Sequence, residues 1–409
     1  MEHETELIAT IAIGLSAAFV GGLIAARLRL PTIVGYVLAG IAVGPFTPGF
    51  VADSGLAQQL AEIGVILLMF GVGMHFSIPD LLSVRGIAIP GGLVQAGVAT
   101  GVGFAVGRWW GWSVGEALVF GMALSVASTI VLLRALETRG TLETPEGRVA
   151  VGWLIVEDIL TVLALVVLPL VADALGGTSD PVADGSLLST LVLTVGGLVV
   201  FVALMLVVGV RVIPRLLAWT ERFGSRELFV LAVLAVGLGV AFGAAELFGV
   251  SVALGAFLAG VVLSESELSH RAAAQALPLQ DAFAVLFFVF VGMLIDPVFL
   301  VDEVDRVLVV TGLIVVVKSL TALGIVLVLR RPLRTGLVVA AGLSQIGEFS
   351  FILAAVGRSL GLLSEEAQNL ILAGALVTIT LNPALFAAAE RLGRTLDRRQ
   401  PDRVRPGVL

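Results

Sequence analysis

The sequence predicts an all-α integral membrane protein of about 13 transmembrane helices, and three observations predict it. The composition is 58% hydrophobic and only 13% charged, with a mean hydropathy of +1.09, whereas soluble domains carry about 25% charged residues. Apolar windows long enough to cross a bilayer recur along the chain. The arginines then fall on one side of the membrane when those windows are threaded in order. The 48 glycines suit close helix packing in lipid, while 1 Tyr and 5 Trp leave a thin aromatic belt. With no cysteine, disulfides, iron–sulfur clusters and thiolate metal sites are excluded. His3, His75 and His270 are scattered and do not suggest a metal centre.

The windows run 7–25, 32–48, 57–74, 86–108, 114–136, 147–172, 187–213, 227–247, 249–264, 278–296, 305–329, 333–359 and 367–389. The first follows an acidic head, Glu2-His3-Glu4-Thr5-Glu6. A secretory signal needs a basic start and a shorter apolar core, so this window is read as a true span. The second is short, because Pro31 opens it and Gly44-Pro45 follows it. The eighth and ninth are separated only by Phe248, which predicts an antiparallel pair with a tight turn. With the N-terminus outside, 20 arginines face inward, from Arg27 and Arg29 to the six of the tail, Arg391 to Arg405. Only Arg108, Arg306 and Arg358 face outward, where the loops instead hold Asp173, Asp180, Asp184, Asp296, Asp302, Glu303 and Asp305. That asymmetry follows the positive-inside rule and fixes the expectation: N-terminus out, C-terminus in. The net charge of −7 says little about partners, since the signs are segregated by side. Residues 1–390 are read as the transmembrane domain and 391–409 as a short arginine-rich cytoplasmic tail.

The sixth window holds two adjacent acids, Glu157 and Asp158, in an otherwise apolar run over 149–172. A charge at the bilayer centre costs at least ~2.5–3.5 kcal/mol on insertion scales, so the pair reads as an ion and proton site. Lys318, mid-way along the eleventh window, is the only lysine in the chain. Arginine keeps its proton in a protein, whereas a buried lysine can release it. Lys318 is therefore a titrating partner or a counter-charge for the acid pair. A lysine snorkelling to the interface would sit nearer a span end.

Spans five and twelve carry an internal similarity. Leu118-Val119 stands at the same offset from Leu124-Ser125 as Leu337-Val338 does from Leu343-Ser344, and polar or small residues follow in each. Span five enters from outside and span twelve from inside. Paired interrupted segments in opposite halves point to two inverted-topology repeats with crossed broken helices, whose unwound backbone offers carbonyls and helix ends to an ion. Ser128 and Thr129 in span five are candidate oxygen ligands, or ordinary back-bonding hydroxyls. In span twelve Gln345 and Glu348 lie near mid-depth, and Glu348 is read as compensating exposed amide ends. Asn382, before Pro383, is a kink device or a ligand. Glu62 and Glu246 sit toward span ends and read as structural or interfacial. Neighbouring helix positions lie ~100° apart, so one acid of the pair is expected to face the crossing and the other a neighbouring helix. Asp158 is favoured as the principal carrier and Glu157 as its tuner. Proton and monovalent cation then compete for the same oxygens, so the metal site, for a monovalent cation, would be Asp158 and Glu157.

At these residues the chain resembles the Kef-like branch of the monovalent cation:proton antiporters. The likeness is carried by Ala61-Glu62-Ile63-Gly64-Val65, by Gly255-Ala256-Phe257-Leu258-Ala259-Gly260, and by Leu286-Phe287-Phe288 through Val291-Gly292-Met293. Val317-Lys318 and Ser344-Gln345-Ile346-Gly347-Glu348-Phe349 extend it over most of the membrane part. The resemblance implies a core, ion-binding domain, a dimerisation domain, and homodimers in a prokaryotic cytoplasmic (inner) membrane. It places the acid pair on the sixth helix and the lysine on the eleventh, and gives K+ a slight preference over Na+. It implies no cofactor and no nucleic-acid partner beyond the transported cations, protons and the lipid bilayer; a separate cytoplasmic regulatory subunit is compatible with it. Some members carry Gln-Asp where this chain has Glu157-Asp158, so charge stoichiometry does not carry over. Many also have a Rossmann-type nucleotide-binding domain after the last span, and residues 391–409 hold no Gly-rich fingerprint.

The leading expectation is a secondary antiporter, not an enzyme, that exchanges K+ or Na+ for H+ by alternating access. A K+-selective channel would need a filter of carbonyls, and no Thr-Val-Gly-Tyr-Gly run occurs. An intramembrane aspartyl protease needs two carboxylates on facing helices, and here they are sequential, with Glu348 the sole conceivable partner.

Overall fold

The computed structural model describes residues 2–48, 54–75, 78–177, 187–250, 252–266 and 268–399, and among them every regular element is helical. The chain begins with α1 (Glu2–Arg27), α2 (Thr32–Val43) and α3 (Ser54–His75). It continues through α4 (Ile78–Trp109), α5 (Val114–Ser125), α6 (Thr129–Thr138), α7 (Pro145–Val171) and α8 (Leu187–Leu204). Next come α9 (Val210–Glu221), α10 (Arg226–Phe248), α11 (Val252–Ser264), α12 (Ser269–Met293) and α13 (Pro297–Asp302). The last five are α14 (Val304–Gly312), α15 (Lys318–Val328), α16 (Leu333–Leu343), α17 (Glu348–Ser359) and α18 (Glu365–Arg399). Single π-helical turns, Met205–Gly209 and Leu313–Val317, join α8 to α9 and α14 to α15, so each of these pairs makes one span.

Each of the predicted windows lies mainly on helix. Among the described residues 9 spans have the length and apolarity to cross a membrane, and α16–α17, bent by 44° at its break, is a tenth. The second, ninth and tenth windows fall on shorter apolar segments, Thr32–Val43, Val252–Ser264 and Pro278–Met293, each below the ~20 residues of a perpendicular crossing. For α2 the reason is local, since Pro31 starts the helix and Gly44-Pro45 cannot continue it. The expected turn between spans eight and nine is present. Gly249 closes α10 in the left-handed region at φ 65°, a conformation that costs glycine nothing, and Gly255 of α11 packs back on Ala241 and Ala244. The acids Asp180 and Asp184, the side chains of His3, His75 and His270, and the tail beyond Arg399 lie outside the described residues.

Contacts divide the chain into two compact units. The first comprises Met1–Ile78, Val162–Asp302 and Ser359–Leu362. Ala18, Val43, Ala57, Val289 and Met293 of α1, α2, α3 and α12 form a buried cluster there, with Tyr36 packed against it. Its helices touch backbone to backbone at Gly40 with Gly292, where a Cβ on either would strike the other helix's carbonyl. This is how small residues let helices approach where lipid supplies no hydrophobic drive. Glu62 of α3 and Glu246 of α10 are exposed residues of this unit, and Glu62 accepts from Gln58 at 3.3 Å.

The second unit comprises Pro79–Thr161, Glu303–Arg358 and Leu363–Leu409. Its core joins Leu132 and Leu136 of α6, Trp153 and Leu154 of α7, Val326 of α15, Leu343 of α16 and Phe386 of α18. Trp153 is fully buried, and its ring lies against Gly91 of α4, where any Cβ would collide with it. At one end Arg139 pairs with Glu390 at 3.1 Å and lies 4.5 Å over the Phe386 ring, which holds α18 against the end of α6. All of the sequence-predicted ion-site residues belong to this unit.

Candidate ion-binding site

The site is built on two interruptions. Helix α5 ends at Ser125, Val126 to Ser128 run extended, and α6 restarts at Thr129. Helix α16 ends at Leu343, Ser344 to Gly347 are non-helical, and α17 starts at Glu348. In each case the helix stops at the Leu-Ser pair that the internal similarity singled out. An unwound backbone inside an apolar unit must find partners for its N–H and C=O groups, and these two breaks find them in each other. Gln345 Oε1 accepts from Ser128 N at 3.0 Å, and its Nε2 donates to Ser128 O at 3.1 Å. The glutamine side chain thus pairs with a backbone residue much as a neighbouring strand would. Ser350 Oγ donates to Val126 O at 3.4 Å. No side chain fits at Gly347, where a Cβ would run into Ser128.

Glu348 sits at the start of α6 as well as at the start of its own helix. Its Oε1 accepts from Thr129 N at 3.1 Å and its Oε2 from Ser128 Oγ at 2.7 Å. A carboxylate at a helix N-terminus satisfies amides that have no intrahelical partner and complements the macrodipole. The expected role of Glu348, compensating exposed amide ends, matches this geometry. Ser128 is the N-cap of α6, accepting from Val131 N at 3.3 Å. Its hydroxyl is therefore engaged in capping, a role that neither of the readings from sequence gave it.

The acid pair reaches the first break from α7. Glu157 Oε2 accepts from Ala127 N at 3.0 Å, and its Oε1 from Gln95 Nε2 of α4 at 2.6 Å. Asp158 Oδ2 accepts from Thr129 Oγ1 at 3.1 Å, while its Oδ1 is buried without a partner. The expectation that one acid faces the crossing and the other a neighbour is met in part: both acids reach the break, and Glu157 also bonds the neighbouring α4 through Gln95. The reason is that the chain is non-helical up to Ser128 and turns into α6 at Thr129, so that the Ala127 amide and the Thr129 hydroxyl meet two side chains ~100° apart on a helix.

Lys318 is fully buried, one residue after the π-helical turn of its span. Its Nζ donates to Gln345 O at 3.0 Å, at the second break. With Glu157 it interacts through space, so it is tied to the acid pair by field and to the break by contact. Asp158 in turn lies in the field of both Glu348 and Glu157. Three carboxylates and one ammonium are buried together, a formal excess of negative charge that a proton or a cation would offset. The Glu348 and Asp158 carboxylates lie by the start of α6 and the Lys318 ammonium by the end of α16, the arrangement that the dipoles favour. Asn382 donates from Nδ2 to Ala341 O at 2.9 Å, and α18 passes unbroken through Pro383; the residue braces the end of α16 and does not mark a helix break.

Gln95 was missed by sequence reasoning, as was the Ala127 amide. Gln95 is wholly buried in α4, and its signal was a lone carboxamide in the middle of a Gly- and Ala-rich span. Glu62 and Glu246 belong to the other unit.

Comparisons with known proteins agree with this architecture. Residues 14–388 match the family model described as the transmembrane sodium/hydrogen exchanger. The chain is 54% identical over 391 residues to the putative cation/proton antiporter YbaL of Escherichia coli K12, spanning 96% of this chain and 70% of that one. It is 33% identical over 388 residues to K(+) efflux antiporter 4 of Arabidopsis thaliana, spanning 94% of this chain and 64% of the plant protein. Among solved structures, the sodium proton antiporter MjNhaP1 of Methanocaldococcus jannaschii aligns with a TM-score of 0.65 at 19% identity, over 96% of this chain and 99% of that one. At that identity the likeness speaks for the fold alone. The chain therefore belongs to the sodium/hydrogen exchanger family, in its Kef-like cation:proton antiporter branch.

Proposed function

We propose that this protein is a secondary antiporter that exchanges a monovalent cation for protons by alternating access, with the two competing at Asp158. The observation that carries the reading is the Asp158 Oδ1 atom, buried without a partner beside two further acids at the meeting of two broken helices. An orphaned buried oxygen is unfavourable, and a proton or a hard cation would satisfy it. Glu157 tunes the site, Thr129 orients Asp158 through its hydroxyl, and Lys318 balances the charge. Competition for one alternately exposed site gives obligatory exchange without a separate coupling device. K+ is favoured over Na+, in keeping with the name of the plant relative. The remaining parts of the reading are thirteen crossings arranged as two inverted repeats, the N-terminus outside and the C-terminus cytoplasmic, a homodimer, and residence in a prokaryotic inner membrane. No resident cofactor is involved.

The test is purified protein reconstituted in liposomes carrying an acidic interior and a pH dye. Addition of K+, Na+ or Li+ outside should drive proton efflux, with an apparent KM that rises as the external pH falls and a Vmax that does not. Cation movement that equilibrates without coupled proton flux would instead be a channel, and would sink the proposal.

A further inference from the structure

We infer that Gln95 is a positioning residue of the exchange reaction: its amide fixes the Glu157 carboxylate, so that Asp158 alone offers a free carboxylate oxygen to the cation. The inference rests on the antiport reading and adds to it a residue outside the acid–lysine set. The three buried acids are engaged unequally. Glu348 has both oxygens taken, by Ser128 Oγ and Thr129 N. Glu157 also has both taken, by Gln95 Nε2 at 2.6 Å and Ala127 N at 3.0 Å. Asp158 has one taken, by Thr129 Oγ1, and one free. Remove the Gln95 amide and Glu157 keeps a single anchor. Its terminal torsion is soft, so the carboxylate would swing and present a second oxygen beside that of Asp158. Asp158 keeps its bond to Thr129, but a cation would have to immobilise the loosened Glu157 carboxylate on binding, and that lost preorganisation weakens its affinity.

The orientation of Gln95 supports a functional reading over a packing one. An ionised carboxylate only accepts hydrogen bonds, so Gln95 turns its NH2 group toward Glu157. Its own Oε1 is left buried and without a partner. A residue placed for stability alone would not carry an unpaired carbonyl into a fully buried position, since methionine has a similar shape and no such group to desolvate. Nor does Gln95 reach any other side chain that would explain it, for Glu157 is its side-chain partner among the described residues. The unpaired carbonyl accompanies the grip on Glu157.

The experiment is Gln95→Met, measured against wild type by cation-dependent proton flux in proteoliposomes and by the cation-induced shift of melting temperature in detergent. The expected result is an apparent cation KM raised about tenfold with Vmax within about threefold, the scale of losing one hydrogen bond to a charged acceptor. Because the residue acts through Glu157, adding Gln95→Met to Glu157→Ala should change the cation dependence of the thermal shift by less than about twofold. The same tenfold loss in both backgrounds overturns the inference, as does a lowered melting temperature with cation KM unchanged. Gln95→Asn, which keeps an amide but withdraws it from Glu157, should reproduce the raised KM. If neither variant can be purified folded, Gln95 is a structural residue and the inference falls. A wild type that couples no proton flux to cations would refute antiport, and the thermal shift would still report whether Gln95 governs cation binding.

Discussion

Asp158→Asn separates a transport role from a structural one, because the substitution is nearly balanced in the fold. In the wild type, Asp158 Oδ2 accepts one hydrogen bond from Thr129 Oγ1 at 3.1 Å, and Oδ1 is buried without a partner. Asparagine keeps an oxygen for Thr129 and puts an NH2 group where Oδ1 was. One bond is exchanged for one bond, and one unpaired polar atom for another, so stability should change by less than about 1 kcal/mol. What disappears is a negative charge in the field of Glu348 and Glu157, whose loss can only relieve repulsion. The melting temperature should therefore stay within about 3 °C of wild type or rise. Transport should fall at least ~100-fold, since a charge-assisted ligand contact worth ~3 kcal/mol is gone. The assays are dye-monitored proton flux in proteoliposomes and thermal unfolding of the same preparation. Flux at the wild-type rate would refute Asp158 as the carrier. A melting temperature lowered by more than about 10 °C would refute the accounting of its hydrogen bonds.

Other substitutions test the surrounding frame. Glu348→Ala strands the Thr129 N–H and the Ser128 hydroxyl at the start of α6, and should destabilise the protein by about 2–5 kcal/mol; an unchanged melting temperature would mean that the cap contributes nothing. Lys318→Gln removes the charge opposite Glu157 and weakens the bond to Gln345 O. It should alter both the pH dependence and the order of K+, Na+ and Li+, and a variant that is merely less stable, with both intact, would reduce Lys318 to a structural counter-ion. Gly347→Ala forces a methyl group into Ser128 and should cost about 1–3 kcal/mol by overpacking. Wild-type stability there, read by thermal unfolding, would show that the breaks do not touch as closely as described.

The helical fold was legible because the bilayer restricts what the sequence can do. A spanning segment must satisfy its own backbone, so apolar windows become helices, and each window does lie mainly on helix. The short segments were less legible. Thr32–Val43 announced itself through Pro31 and Gly44-Pro45, but in Ser269–Met293 an apolar half follows a polar one within a single helix, and hydropathy alone saw only the apolar half. The π-helical turns were invisible, because Leu313–Val317 is a run of β-branched and leucine residues like many others. The boundary between the two units was equally hidden, since it falls inside α7, after Thr161.

Within the site, what could be read were the groups whose cost is local, and what could not were those whose partners are distant. Glu157, Asp158 and Lys318 each carry a charge into an apolar window, and that cost is visible at the residue itself. The interruption of α5 is different. Ser125-Val126-Ala127-Ser128 contains neither Gly nor Pro, and nothing in those four residues forbids a continuous helix. The chain unwinds there because Gln345, 217 positions away, replaces the lost backbone partners of Ser128, and Glu348 takes the freed amide of Thr129. The Leu-Ser similarity located the break without supplying that reason. Gln95 is the limiting case. A neutral carboxamide among glycines and alanines imposes a modest local cost, and its significance lies wholly in Glu157, 62 positions on. Spacing on one helix relates residues three or four apart and is silent about a pair on α4 and α7. The unequal engagement of the acids follows from that silent pair. Glu157 and Asp158 are adjacent and chemically alike, yet Gln95 and Ala127 hold both oxygens of the first while Thr129 holds one oxygen of the second. Asp158 thus has the free oxygen for a reason that begins outside the acid pair.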